Sequence, residues 1–384
     1  MNDLEIKEYL YNIGGASKGI DNFKNFLSCY GNPEEKVKCI HVLGTNGKGS
    51  TTVMLAKILQ TKYKKVGTFT SPAFLDVYDR IQINRIDIEK VKFNKIFNLI
   101  YQDTLKYHLG FFEILCAIAF IYYDQEGVDY MIIEAGVGGK YDCTSVINPD
   151  VRLLTNVGYD HIDVLGNTLD DILMQKLGAC RNGDNLITTI SKEHYSSVIE
   201  YCKQNNITYV LVNKIVDFNL SLQGIHQKIN ASLVYECIRF LNINISLNEL
   251  AECFKNVSWQ GRFEKLKENI YLDGAHNIDG IKVCLQTAND IFGKNNYNIV
   301  SSILYGKDIK TFNKEFKNNG KTVVFTTFDY KRAYNINDLL HEDVNVCADF
   351  KTLIDQAYIN DENYLFVGSL YFVTEIHKYL RSRK

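Results

Sequence analysis

Residues 39–52 read C-I-H-V-L-G-T-N-G-K-G-S-T-T. The apolar run Cys39–Leu43 predicts a buried strand, and a helical pattern begins near Thr51. Between them, Gly44, Gly47 and Gly49 surround Lys48. Glycines let successive backbone N–H groups turn toward one anion, a helix N-terminus adds positive potential, and a lysine brings a mobile full charge. This is the construction of a phosphate-binding loop. Its spacing is not G-x-x-x-x-G-K-[ST], because residue 42 is Val and Gly49 separates Lys48 from Ser50. A tight strand-to-helix connection with a chance lysine is the alternative on spacing alone.

The 384 residues are too many for one ordinary core, so two domains are expected. A formal charge of −2 offers no long-range attraction to nucleic acid or an anionic membrane, so any anionic ligand must be held locally. The ten cysteines occur singly, without a C-x-x-C pair, and several lie inside apolar patterns. They are expected as small buried hydrophobes of a reducing, cytoplasmic compartment. The N-terminus M-N-D-L-E-I-K has no basic-then-apolar signal, and no run of 18 apolar residues would span a membrane. The greasiest stretch, Phe111–Tyr123, carries Glu113 and predicts a core helix.

Outward from the loop, helices are expected over 4–12 and 20–30, joined by the polar hinge Gly14–Gly19, a turn or a ligand cover. A strand over Lys65–Thr70 ends in Ser71-Pro72 at the sheet edge that carries the glycine loop, within reach of a metal or a phosphate, although Ser-Pro also simply starts turns. Helices over 88–106 and 111–124 precede a strand, Asp129–Glu134. A carboxylate at the tip of a buried parallel strand faces the ligand crevice, which makes Glu134 a candidate metal ligand. The strand Val151–Thr155 runs on to Asp160-His161, and His161 joins Glu134 as a candidate ligand. Thr168 caps an amphipathic helix to Cys180, with Asp171 closing a capping box and Lys176 read as a solvated helix lysine. Alternation continues through 185–190, 192–204 and 207–212 to a helix over Gly224–Asn242 bearing His226, Gln227 and Asn230.

Ser258–Glu268, with the only tryptophan, breaks this rhythm and is placed as the junction: a first domain over 1–258, a linker over 259–268 and a second domain over 269–384. A second α/β series follows, with strands over 269–273, 298–304, 322–327 and 364–367 and helices over 278–292, 309–316 and 370–381. Arg262 and Asp273 stand where they would face a nucleotide, or form a salt bridge at the joint.

Taken in order, G-T-N-G-K-G-S-T (44–51), T-S-P (70–72), F-F-E (111–113), E-A-G-V-G-G (134–139), D-H (160–161), L-G-N-T-L (165–169), Q-K-L-G (175–178), H-Q-K-I-N-A (226–231), G-R-F-E (261–264), D-G-A-H-N (273–277) and G-S-L-Y (368–371) resemble one family. That family is the folylpolyglutamate and dihydrofolate synthases of the Mur ligase superfamily, and the likeness covers nearly the whole chain. It implies an α/β chain with an N-terminal P-loop ATPase domain on a mostly parallel sheet, a smaller Rossmann-like glutamate ligase domain, and ATP at their interface.

By the same resemblance, Asn46, Gly47, Lys48, Gly49, Ser50 and Thr51 would hold ATP phosphates, with Asn230, Arg262 and Asp273 also on the nucleotide. Ser71, Glu134 and His161 would hold magnesium, and Lys176 matches a lysine that family members carbamylate, adding an oxygen ligand for a second ion. Lys48, Lys176 and His161 would carry the catalytic work. Lys18, Gly19, Ile20 and Asp21, Gly110, Phe111, Phe112 and Glu113, and Tyr141, Asp142, Cys143 and His276 would line the substrates: dihydropteroate or a reduced folate, and L-glutamate. The family likeness also implies a monomer that uses small molecules alone, with neither nucleic acid nor membrane as partner. Departures from the family pattern fall at Gln260, Ile278, Gln175, Leu177 and Lys140–Ser145, on the substrate side and the hinge. A Mur-type ligase for another carboxylate, and a nucleotide-binding module without ligase activity, are the competing expectations.

Overall fold

The computed structural model describes residues 1–14 and 18–383. They form two compact units, Met1–Asn219 with Lys228–Val257, and Leu220–Gln227 with Ser258–Lys384.

The first unit is built on eight strands in the order Ile86–Asp87, Ile81–Ile83, Val66–Phe69, Tyr130–Glu134, Lys38–Leu43, Val151–Leu154, Asn185–Thr188 and Thr208–Leu211. All neighbours are parallel except two antiparallel pairs at one edge, Val66–Phe69 with Ile81–Ile83 and Ile81–Ile83 with Ile86–Asp87. Central strands buried on both faces are mostly apolar, with His41 and Arg152 as buried polar exceptions. Register pairs Val42 with Glu134 and Leu43 with Leu154, so three strand tips share one edge. One face packs on the helices Lys90–Lys106 and Phe111–Glu126, the latter apolar nearly all round as its sequence predicts.

Two local expectations change. The helix after the glycine loop starts at Lys48 rather than near Thr51, because Gly47 adopts φ 85° and turns the chain early. The edge hairpin falls on residues to which the sequence reading assigned no element: its turn places Asn84 at φ 53° and Arg85 at φ 66°, and Asn-Arg lacks the glycine that announces such a turn.

The second unit carries six strands in the order Val346–Cys347, Thr322–Thr326, Asn298–Ser301, Tyr364–Val367, Ile270–Asp273 and Glu264–Lys267. All neighbours are parallel except the last pair. The stretch expected as a linker therefore contains an edge strand, Glu264–Lys267, whose charged alternation suits a strand with one wet face. This unit also takes in Leu220–Gln227, which the sequence reading left in the first. The helix Phe350–Ile359, the helix Ile336–Leu340 and the strand Val346–Cys347 were not anticipated.

Eight of the ten cysteines are buried and all are free thiols, with Cys29 exposed and Cys347 half-buried. Among the described residues no helix is long and apolar enough to cross a membrane.

Candidate active site

The loop Gly44–Gly47 is latched to the end of the next strand. Thr45 N and Asn46 N donate to the backbone and side-chain oxygens of Asn156 at 3.1 and 2.9 Å, Thr155 Oγ1 donates to Asn46 O at 2.6 Å, and Thr45 Oγ1 receives Gly158 N at 3.1 Å. Lys48 Nζ lies 3.1 Å from Gly44 O and 3.2 Å from Thr45 O, so its charge is folded over the loop. Asn230 closes the other side: a Cβ on Gly47 would lie 2.5 Å from its Oδ1. Gly49, Ser50 and Thr51 form the buried first turn of the helix.

Gly44 has the tightest requirement, φ 144° and a Cβ position 1.8 Å from Thr155 Oγ1. Gly44→Ala is expected to destabilise the protein by about 2–4 kcal/mol through strain and overpacking. Gly183→Ala, at φ 87° with open space around its Cβ position, is the control and should lose only the backbone share, about 1 kcal/mol. Denaturant midpoints distinguish them.

Glu134 is 3% exposed at its strand tip, and one carboxylate oxygen accepts Ser71 N at 3.1 Å. Those two candidate ligands are therefore tied together. His161 is exposed at φ 50°, and its N–H is bonded to Asp160 Oδ1 at 3.0 Å. It stands on the loop that follows the strand latched to Gly44–Asn46. A hydroxyl and a buried carboxylate are hard oxygen donors suited to magnesium, which takes one or two carboxylates and fills its shell from phosphates and water. Among the described residues no three His, Cys, Asp or Glu gather as a self-sufficient metal cluster.

Lys176 corrects an expectation: it is 2% exposed, not a solvated lysine. The turn Gly138–Lys140 lies against its helix, Leu169–Leu177, with Lys140 N donating to Gln175 O at 2.7 Å, and a Cβ on Gly139 would meet Lys176 O at 2.7 Å. Burial lowers the Lys176 pKa to about 7; Lys48 pushes it the same way, while Asp160 and Asp142 oppose. A buried amine near neutrality is a nucleophile at physiological pH.

The three segments expected against the acyl substrate come together. Helix Ile20–Ser28 and helix Phe111–Glu126 both pack on the short turn Cys143–Val146. Gly136 sits between Phe112 and Asp142, where a Cβ would be 2.6 Å from Phe112 Cε1 and 3.1 Å from Asp142 Oδ2. Glu113 accepts Gly110 N at 2.8 Å and so caps its own helix. Tyr141 is 67% exposed, whereas Asp142 and Cys143 are buried. Gly19, at φ 97°, caps the helix that begins at Ile20, and Lys18 and Asp21 are exposed. Within the expected hinge, Gly15–Ser17 lie outside the described residues.

In the second unit, Asp273 is buried at a strand tip and accepts Phe263 N and Ala275 N, each at 2.7 Å. Burial raises its pKa and Arg262 opposes that. Arg262 is half-buried, and a Cβ on Gly274 would be 3.0 Å from its Nη1. His276 Nδ1 lies 3.2 Å from Gly274 O. Thr155 and Asn156, which brace the glycine loop, were missed by sequence reasoning. The run T-N-V-G after a strand tip was the available signal.

A Mur ligase middle domain matches residues 42–245, and a Mur ligase glutamate ligase domain matches 261–367. The chain is 30% identical to the Bacillus subtilis dihydrofolate synthase/folylpolyglutamate synthase, covering 96% of each. Among solved structures, it superposes on Thermotoga maritima folylpolyglutamate synthase with a TM-score of 0.86 at 25% identity, covering 100% of this chain and 97% of that one. It superposes on the Mycobacterium tuberculosis folylpolyglutamate synthase complexed with ADP and AMPPCP with a TM-score of 0.87 at 21% identity, covering 98% and 97%.

Proposed function

The chain belongs to the Mur ligase family, among the folylpolyglutamate and dihydrofolate synthases, and from that premise we propose that it joins L-glutamate to dihydropteroate, to reduced folates, or to both, at the expense of ATP. The observation that carries this reading is the gathering of Lys48, the Ser71–Glu134 pair and buried Lys176 on elements that meet at one sheet edge.

A carboxylate is a poor electrophile, so its oxygen first takes the γ-phosphoryl group of ATP, with ADP as leaving group. The amine of glutamate then attacks the acyl phosphate through a tetrahedral intermediate and expels phosphate. Both steps concentrate negative charge. Lys48 and the first-turn amides would neutralise it on the transferring group. Ser71, Glu134 and His161 would hold magnesium. When bound, magnesium neutralises phosphate charge as a Lewis acid. The neutral amine of Lys176 can add carbon dioxide and release one proton, becoming an anionic oxygen donor for a second ion where an ammonium would repel it. Asn230 stands on the phosphate loop, and Arg262, Asp273 and His276 are the candidates in the second unit for nucleotide and glutamate contacts. We place this chemistry in a monomer acting on small molecules in the cytoplasm, a reducing compartment that free buried thiols support.

Phosphate release measured with dihydropteroate, tetrahydrofolate or a muramyl peptide, each with and without glutamate, tests the assignment. Turnover with either folate acid, dependent on glutamate, is expected. Turnover with the muramyl peptide alone would reject the substrate.

A further inference from the structure

A line of buried polar groups crosses the first unit's core and ends at the turn between Glu134 and Cys143. Arg152, in the strand Val151–Leu154, is fully buried, and its Nε donates to Asp184 Oδ2 at 2.7 Å while Nη2 donates to Ile147 O at 3.2 Å. Its Nη1 meets Nδ1 of His41, the central residue of the neighbouring strand. His41 Nε2 is 2.8 Å from Thr144 Oγ1, and Thr144 Oγ1 is bonded to Asp142 Oδ1. Asp142 also accepts Thr144 N at 3.0 Å, Val137 N at 2.8 Å and the backbone of Gly136.

Donor and acceptor roles along this line are forced. A guanidinium only donates, so His41 Nδ1 is the acceptor and the ring proton sits on Nε2. His41 therefore donates to Thr144, and the single hydroxyl proton of Thr144 goes to Asp142. The carboxylate is then an anion with four protein donors, which fill its acceptor capacity. It is 7% exposed. Asp142 is thus engaged in gripping the Gly136–Val137 turn, and that turn bears on Phe112 through Gly136.

We propose that Arg152, His41 and Thr144 are positioning residues that act through Asp142, fixing the E-A-G-V turn against Phe112 and so setting the shape of the acyl-substrate wall. The part of this that concerns substrate rests on the reading of 110–113 and 141–143 as that wall; the direction of the hydrogen-bond line does not. Burial first, then the Arg152 and Arg181 charges, hold the His41 pKa well below its ordinary value, which agrees with a neutral ring.

Two measurements test it. Imidazole 15N spectra of the whole protein, with His41 assigned through His41→Gln, are expected to show the Nε2–H tautomer unchanged from about pH 5 to about pH 9. An Nδ1–H tautomer, or a ring that becomes charged in that window, overturns the line, whatever the enzyme ligates. Thr144→Val keeps the shape and removes the hydroxyl. It is expected to raise KM for the pteroyl acid about tenfold with KM for ATP changed less than about twofold, and Thr144→Ser to recover to within about threefold. Equal rises in both KM values, a parent-like Thr144→Val, or a serine variant no better than valine would overturn the positioning role.

Discussion

Lys48→Ala is expected to lower ATP turnover at least about 10²- to 10³-fold, the usual loss when one preorganised donor is removed from a site of developing negative charge. Lys48 is the flexible full charge of the loop, held 3.1 and 3.2 Å from the carbonyls of Gly44 and Thr45. Those contacts are weak enough to exchange for phosphate oxygens, whereas the loop backbone is fixed by Asn156 and Thr155 and survives the substitution. The variant should therefore retain part of its ATP affinity while losing kcat. ADP release at the parent's rate would contradict the mechanism outright. Removing this neighbour also removes one of the influences that depress Lys176, so the Lys176 pKa should rise in the variant, though only partway, because burial is the larger cause. Coupling of this kind between two cations distinguishes a shared site from two unrelated lysines.

The glycine loop, the strand tips and their common edge were legible in the sequence because each follows from a strong local rule. Parallel strands are mostly apolar, ligands sit at their C-terminal ends, and glycines mark where backbone approaches an anion. Glu134 was singled out from its strand-tip position alone, and it lies bonded to Ser71 N, as two residues on adjacent strand tips can. Lys176 was misread as solvated because a helix lysine is solvated by default, although its spacing puts it on the buried face with Ile172, Leu173 and Leu177. What no local pattern encodes is the packing of the distant Gly138–Lys140 turn against that helix, where Lys140 N meets Gln175 O. Arg152 and His41 sit inside strands that read as apolar, and only the cross-strand register reveals that they meet. The strand Glu264–Lys267 was hidden because an edge strand needs no apolar alternation.

Carbon dioxide dependence is the second large expected effect. An ordinary lysine, with a pKa of about 10.4, is neutral in only about one molecule in a thousand near pH 7.4. With its pKa lowered to about 7, Lys176 is neutral in most molecules at that pH. Since only the neutral amine adds carbon dioxide, activity in bicarbonate-supplied buffer should climb through pH 7. It should be about one-tenth developed a unit below and about nine-tenths a unit above. Thorough removal of carbon dioxide should lower turnover, with bicarbonate restoring it. Lys176→Ala should lose activity by about 10²-fold or more and, lacking the amine, should show no response to bicarbonate. Full activity in that variant would remove the carbamate from the mechanism. The same burial has a consequence for stability that needs no substrate. A lysine whose folded pKa is depressed carries its full burial penalty below that pKa, and sheds it as pH rises toward the unfolded value. Lys176→Met should therefore be most stabilising below about pH 7, with its advantage shrinking toward about pH 10 in carbon dioxide-free buffer. A pH-independent difference would mean that the amine is solvated after all, and the carbamate would lose its physical basis together with the depressed pKa.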